Sequence, residues 1–357
     1  MNEETVSTIL QELSSAAGVS GAETEAVEVA SRYLFQYTAD LKKDRFGNLL
    51  ALVPGQASPA DNKVTVAVVA HIDEIGALVT RIEPGGFLRF SPLGGLDARI
   101  LYGQAVEIHA NRKLKGVVGA VPPHFLNNDE LKKTIPVEKL FIDLGLDEET
   151  VKKEIKVGDC ISLDQKPLIM EGGKKLTGKS LDNRSGVAAL IVCAAELASL
   201  RHRADVCLIT SLQEEVGLRG AVTSAYNLNP DLAVIVDVTH GDAPGLDDKN
   251  VYKIGGGPAL GIGPNLHPVL GRRLQETAEK HFLPYQTEPL PGFSGTDAWA
   301  FQVAREGIPT ALLSIPLRYM HTAVELVSID DLMISGKLLS YFISSIDTSF
   351  MEDLIKC

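Results

Sequence analysis

The sequence predicts an α/β fold in which a mostly parallel sheet, covered by helices on both faces, is interrupted by a small all-β module. Residues 64–70, Val-Thr-Val-Ala-Val-Val-Ala, form an apolar run typical of a strand buried on both sides. From Leu181 onward, β-type runs alternate with helical periods, which implies parallel pairing through crossovers. Between about residues 75 and 163 the texture changes to short β-rich segments separated by Gly/Pro turns, with few helical periods.

Taken in order, residues 4–37 read as a helix in two pieces. Val6, Ile9, Leu10 and Leu13 recur at helical spacing, Gly18 to Gly21 interrupt it, and Ser20 is placed to cap a second helix over residues 22–37. The turn Asp44-Arg45-Phe46-Gly47-Asn48 leads to a strand at 49–53 and, past a polar Pro/Ser linker, to the run that ends at His71-Ile72-Asp73. The β-rich module supplies segments at 77–82, 87–90, 104–109, 114–120 and 160–163. Next come a helix at 184–200, a strand at 206–210, a helix near 219–226 and a strand at 232–236. A helix at 268–281, a strand at 310–314 and a final helix at about 328–346 complete the chain. The expected division is a discontinuous domain, residues 1–73 and 164–357, with residues 74–163 inserted into it.

Composition sets the outer limits. A chain of 357 residues holds about two domains at roughly 150 residues each, which agrees with that division. Asp plus Glu number 46 against 34 Lys plus Arg, a formal charge of −12, so the basic footprint that nucleic-acid binding needs is missing. Disorder is excluded by 45% hydrophobic residues. The acidic start Met1-Asn2-Glu3-Glu4 lacks the character of an export signal. The longest apolar stretch, residues 186–200, is shorter than the ~20 residues of a membrane span and contains Glu196. Cys160, Cys193, Cys207 and Cys357 show no C-x-x-C pairing, so reduced thiols and a cytoplasmic location are expected.

The chemistry gathers at strand ends. In an open α/β sheet the carboxyl ends of the strands converge on one crevice. His71 and Asp73 close one strand, Glu214 and Glu215 follow another, Asp237 closes a third, and His321 lies in the loop after a fourth. Asp182 stands at a helix entry. Two histidines and three carboxylates suit a pair of divalent ions, with one carboxylate bridging and a water activated between them. Zn or Co matches imidazole and carboxylate donors. A further carboxylate must stay unligated to take the water's proton and return it to the leaving group. Adjacent Glu214 and Glu215 supply that division of labour, and Asp73 is placed to orient the His71 imidazole.

These blocks carry a resemblance. His71-Ile-Asp73-Glu-Ile-Gly76, Ser180-Leu-Asp182-Asn-Arg184, Gln213-Glu214-Glu215-Val-Gly217, Val236-Asp237-Val-Thr-His240, Ser294-Gly-Thr-Asp297 and Arg318-Tyr-Met-His321 resemble, in order, the motifs of the tetrahedral, TET-type di-metal aminopeptidases. That family includes glutamyl aminopeptidases and proteins labelled endoglucanase-like. The resemblance implies a three-layer αβα zinc-peptidase-type catalytic domain with an inserted small β-barrel, PDZ-like, used for dimerisation. It implies that Asp182 bridges the ions, that His71 and Asp237 complete one site, and that Glu215 and His321 complete the other. Glu214 would be the general base and Asp73 the orienter. Short peptides would be the substrates, and dimers would assemble into a hollow dodecamer. One departure is that the run Asp237-Val-Thr-His240-Gly241-Asp242 is one small residue shorter than the family's usual run.

Rival readings are weaker. Gly173-Lys-Lys-Leu-Thr-Gly178-Lys179-Ser180 matches the phosphate-cradling G-x-x-x-x-G-K-[ST] loop, but no buried strand leads directly into it and His71, Glu214, Glu215 and His321 would then have no role. A glycosidase needs two free carboxyls flanking the scissile bond, whereas metals would consume most of these, and the single Trp299 offers little stacking surface for sugars. A non-catalytic binding protein would have lost a ligand or the base, and all seven positions are filled. The glycine run from Gly255 to Gly263 reads as a loop at the mouth of the site, and Ser294 to Asp297 as the cap of a helix starting at Ala298. His109, His202, His267 and His281 read as structural or solvent-facing; His124 and His240 are secondary candidates for a role at the site.

Overall fold

The structure, a computed structural model, describes residues 1–56, 64–247, 249 and 251–355; Cys357 lies outside them. The chain opens with α1 (Glu3–Ser15), α2 (Thr24–Leu34), β1 (Leu41–Lys43), β2 (Leu49–Val53) and β3 (Thr65–His71). Next come β4 (Gly76–Ile82), β5 (Leu88–Leu93), α3 (Ala98–Leu101), β6 (Ala105–His109) and β7 (Lys113–Gly119). They are followed by α4 (Asn128–Leu131), β8 (Phe141–Asp143), α5 (Glu148–Glu154) and β9 (Cys160–Leu163). The remainder begins with β10 (Leu168–Ile169), β11 (Lys175–Gly178), α6 (Leu181–Leu197), β12 (Asp205–Ser211) and α7 (Arg219–Leu228). It continues through β13 (Leu232–His240), β14 (Ala259–Ile262), α8 (Pro268–Lys280), β15 (Gln286–Pro289) and α9 (Ala298–Gln302). It ends with β16 (Thr310–Arg318), β17 (Glu325–Ser328), α10 (Ile329–Ser344) and α11 (Thr348–Ile355).

Two β-systems result. Strands β4-β5-β8-β7-β6-β9 close into a barrel, and the other eleven form one sheet whose main path runs β1-β2-β12-β3-β13-β16-β17-β11-β10. The fold is therefore mixed α/β with a closed six-stranded barrel. The large sheet corrects the sequence expectation. Its centre, β12-β3-β13-β16, is parallel, as is the side pair β14-β15. Antiparallel pairs build both flanks. These flanking strands are short, and Lys42, Lys43 and Lys175 interrupt any apolar period, as edge strands exposed to foreign pairing require.

Burial explains the centre. In β3, Val66 to Ala70 are all 0% exposed, because both faces of the strand are covered. Val66, Val68 and Ala70 pack into a core shared with α1, α2, α6, α8 and α10. Ala67 and Val69 enter a separate core closed by α7 and α9. The barrel has its own core, built by alternation: in β7, Leu114, Gly116 and Val118 point inward between exposed Lys113, Lys115 and Val117. Helix α6 is apolar almost all round, which suits its position beneath the sheet with helices packed on its far side.

Several local expectations change. Helix α2 begins at Thr24, and Glu23, at its N-cap, makes no side-chain cap bond, so Ser20 caps nothing. The G-x-x-x-x-G-K-[ST] match is no loop: residues 175–178 form β11 and pair with β17, so their backbone groups serve a ladder and cannot cradle a phosphate. The glycine run is pinned down by Asp331, which accepts the Gly255 and Gly257 N–H groups, and it continues into β14. The β module also carries helices α3, α4 and α5, short enough to leave no periodic signal.

A close contact between α6 and α10 gives a test. A Cβ on Gly336 of α10 would lie 2.5 Å from Val192 Cβ and 2.8 Å from the Ala189 carbonyl oxygen of α6. Gly336→Ala is expected to lower stability by about 1–3 kcal/mol through overpacking, read as a fall in the denaturant midpoint. An unchanged midpoint would show that the two helices have slack.

Candidate active site

Parallel alignment delivers the first residues. His71 closes β3 in register with Ser211 at the end of β12, and Asp237 of β13 lies beside Ser314 of β16. All four strands run the same way, so their carboxyl ends share one edge. Asp182 reaches that edge from the start of α6, where its peptide bond to Asn183 is cis. Asn183 caps the helix, its Oδ1 accepting the Gly186 N–H at 2.9 Å, and its Nδ2 donates to the Val236 carbonyl at 2.8 Å. That second bond ties the helix start to β13, one residue before Asp237.

His321 arrives on the loop after β16. Its N–H donates to Glu325 Oε1 at 2.8 Å, while Glu325 Oε2 accepts the Asp182 N–H at 3.1 Å. Glu325 thus sets the spacing between two candidate ligands. Gly95 leaves room for the ring, since a Cβ there would sit 2.3 Å from His321 Nδ1. On the opposite side, fully buried Asp73 accepts the N–H groups of Glu214 and Glu215 at 2.9 and 3.2 Å, which holds the glutamate pair beside His71.

The side chains converge in an ordered way. Asp182 Oδ1 is 3.2 Å from His71 Nε2, and Asp182 Oδ2 is 3.3 Å from His321 Nε2. His71 Nε2 also faces Asp237 Oδ1 at 3.7 Å, and His321 Nε2 faces Glu215 Oε1 at 3.3 Å. The other ring nitrogen of His71 faces Asp73 Oδ1 at 3.4 Å. Donor atoms of His71, Asp182 and Asp237 lie within 4.8 Å of one another, as do those of Asp182, Glu215 and His321. The two groups share Asp182. A third group, His71 with Glu214 and Glu215, meets the same distance.

The electrostatics say what the donor set lacks. Burial, with neighbouring carboxylates adding to it against the pull of the imidazoles, raises Glu215, pushes Asp237 well above the carboxylate range and takes Glu214 up to about 10. Asp182 goes the other way: burial opposes its charge, but hydrogen bonds from His321 and His71 prevail and hold it well below its ordinary value. The same contacts with Asp182 and Glu215 lift His321 to about 11. Burial disfavours a charged His71 ring, yet Asp182 and Asp73 together raise it well above the usual value. Crowded buried carboxylates between two imidazoles are relieved by positive charge, so the set fits divalent cations. Imidazole nitrogen and carboxylate oxygen are donors that divalent ions accept.

A cavity of about 630 Å³ opens over these groups. His240 lines it, whereas His124 sits exposed in the β module beside Phe125. His109 bonds Ser162, His202 the Ala204 carbonyl, and His281 stacks on Tyr341, all away from the site. No residue of the glycine run from Gly255 to Gly263 lines the cavity, although its Gly261 pairs with Glu288 of β15, which does. Nor does Asp297 cap α9 with its side chain; Thr296 Oγ1 accepts the Ala298 N–H at 3.3 Å, and buried Asp297 accepts from Ser211. Sequence reasoning missed Glu325, Glu288 and the true partner of Ser20, which is Asp73. An acid four residues after the candidate ligand His321 was the available signal for Glu325.

Residues 47–338 match the family described as M42 glutamyl aminopeptidase. The lysyl aminopeptidase of Pyrococcus furiosus is 34% identical over 329 residues, covering 90% of this chain and 92% of that protein. The solved structure of an aminopeptidase from the archaeon Desulfurococcus kamchatkensis superposes with a TM-score of 0.90 at 33% identity, covering 99% and 98% of the two chains. The TET1 peptidase of Pyrococcus horikoshii, described as assembling into a tetrahedron or a large octahedral shell, gives a TM-score of 0.83 at 31% identity over 96% and 100%. With the strand-end donors, the shared carboxylate and the whole-length likeness all in agreement, the chain belongs to the M42 glutamyl aminopeptidase family and is an aminopeptidase.

Proposed function

We propose that the enzyme acts through two divalent ions, Zn or Co, held by His71, Asp182 and Asp237 on one side and by Asp182, Glu215 and His321 on the other. The observation that carries this reading is Asp182, which turns one oxygen to each imidazole. Bound there, the ions would supply Lewis acidity and a water acidic enough to ionise near neutral pH.

The chain's own groups do the rest. Glu214, bound to neither set of ligands that share Asp182, takes the proton of the attacking water and hands it to the departing amine. Positive charge beside it lowers its raised pKa, which keeps it ionised and able to accept. Asp73 holds His71 in orientation and fixes the backbone of Glu214 and Glu215. The substrates are short peptides, cut after the N-terminal residue. A glycosidase mechanism would require two carboxyls free of these clusters and flanking one bond, and Glu214 alone among the clustered acids is left free.

Residues 1–73 and 164–357 form the catalytic domain in this reading, with helices above and below the sheet in a three-layer αβα arrangement. Residues 74–163 form a PDZ-like dimerisation barrel. Exposed Val117, Val121 and Phe125 on the barrel support a contact role. The TET1 structure described as a dodecamer supports dimers built into a dodecamer. A cytoplasmic setting is supported by free Cys160, Cys193 and Cys207. No helix among the described residues is long and apolar enough to cross a membrane.

Glu214→Gln is expected to retain both metals by elemental analysis while losing about 10²–10⁴ in kcat. An unchanged kcat would remove Glu214 from the mechanism. The cavity lining also limits the substrate. Among the described residues it contains no Lys or Arg, and it adds the buried carboxylate of Glu288, held by Thr239 and Ser314 at 2.6 Å each. An acidic side chain entering there meets like charge. Across a panel of aminoacyl-p-nitroanilides, Glu and Asp substrates should give kcat/KM at least about tenfold below Leu or Lys. A preference for the acidic substrates would refute this account of the cavity.

A further inference from the structure

Residues 18–23 precede the segment that matches the family, which starts at residue 47. The structure nonetheless docks them against the site. Val19 and Glu74 form a parallel bridge. The Glu74 N–H donates to the Gly18 carbonyl at 2.9 Å, and the Gly18 N–H donates to Glu74 Oε1 at 3.0 Å. Glu23 accepts the Gly21 N–H at 2.7 Å and so shapes the loop from within. The short segment is thus pinned along the backbone that follows His71 and Asp73.

Ser20 is the point of contact with the chemistry. It is 7% exposed, and its hydroxyl donates to Asp73 Oδ2 at 2.6 Å. Each Asp73 oxygen then has two neighbours. Oδ1 receives the Glu214 N–H and faces His71 Nδ1, while Oδ2 receives the Glu215 N–H and Ser20 Oγ. Without the hydroxyl, one oxygen keeps a single long bond of 3.2 Å and the carboxylate is free to swing about its terminal torsion. Such a swing carries Oδ1 away from His71 and slackens the backbone of Glu214 and Glu215.

We propose that Ser20 is a positioning residue of the active site, which acts through Asp73 to hold the His71 ring and the Glu214–Glu215 backbone in register. This rests on the reading of Asp73 as the group that orients His71. Orienting partners of metal-binding histidines are worth about 10–100-fold in metal affinity or activity when removed.

The test uses the purified, metal-loaded full chain and four variants: Ser20→Ala, Ser20→Thr, Asp73→Asn and Val27→Ala. Val27 is buried in α2, next to the loop, and serves as a packing control. For each, kcat and KM are measured on the best p-nitroanilide, metal retained after dialysis against a chelator by elemental analysis, and Tm by circular dichroism. Ser20→Ala should fold, lose about tenfold in kcat with KM changed less than about twofold, and shed metal faster, while Ser20→Thr restores both properties. Val27→Ala should lower Tm and leave kcat and metal retention alone. The proposal is overturned if Ser20→Ala keeps wild-type kcat and metal, if Val27→Ala matches its losses, or if Ser20→Ala does not fold, since each makes the hydroxyl a packing element or nothing. Asp73→Asn separates the two levels: if it is inert, the reading of Asp73 itself fails, and if it alone is damaging, only the role of Ser20 fails.

Discussion

The arrangement depends on one buried carboxylate serving two imidazoles. Asp182 stands between His71 and His321, 3.2 Å from one ring and 3.3 Å from the other. A group so placed must be held against its own desolvation, and the surroundings supply the restraint. Asn183 anchors the helix start to the Val236 carbonyl, Glu325 accepts the Asp182 N–H, and the parallel strands bring His71 and Asp237 to the same edge. Arg184, the next residue of the helix and fully buried, donates to the carbonyls of Ile72 and Leu13. One turn of chain therefore couples the helix, the N-terminal segment and the backbone that follows β3.

Crowding of acids follows from that geometry. His71, Asp73, Asp182, Glu214, Glu215, Asp237, Glu325 and Asp297 occupy one end of the sheet, and burial, with neighbouring carboxylates adding to it, raises Glu214, Asp237, Asp297 and Glu325. A protein interior tolerates such a set only where hydrogen bonds or opposite charge relieve it. The acidic residues that make the site attractive to cations therefore work against the fold when charged and alone. On the proposed reading, folding and metal loading would be linked through the same residues, and the −12 formal charge is partly an expression of this crevice.

Much of this was legible in the sequence because central strands and strand-end acids and histidines leave strong patterns. The run ending at His71 has no polar interruption apart from Thr65, and its acidic and imidazole residues stand where parallel strands must converge. The antiparallel flanks were not legible. Strands such as β10, with two residues, and β11, beginning at Lys175, carry too few apolar positions to show a period. Ser20 was misread for a related reason: a serine before a helix is an ordinary cap signal, and only tertiary docking turns its hydroxyl toward Asp73. Glu325 drew no reading from the sequence because its partners, the backbone of Asp182 and of His321, are brought together only by folding.

The central claim is that Asp182 joins two cation sites. Crystals of the protein grown with zinc, measured on both sides of the zinc absorption edge, test it directly. Two anomalous peaks are predicted, one against Asp182 Oδ1 with His71 and Asp237, and one against Asp182 Oδ2 with His321 and Glu215. A single peak, or two peaks of which one avoids Asp182, would contradict the account.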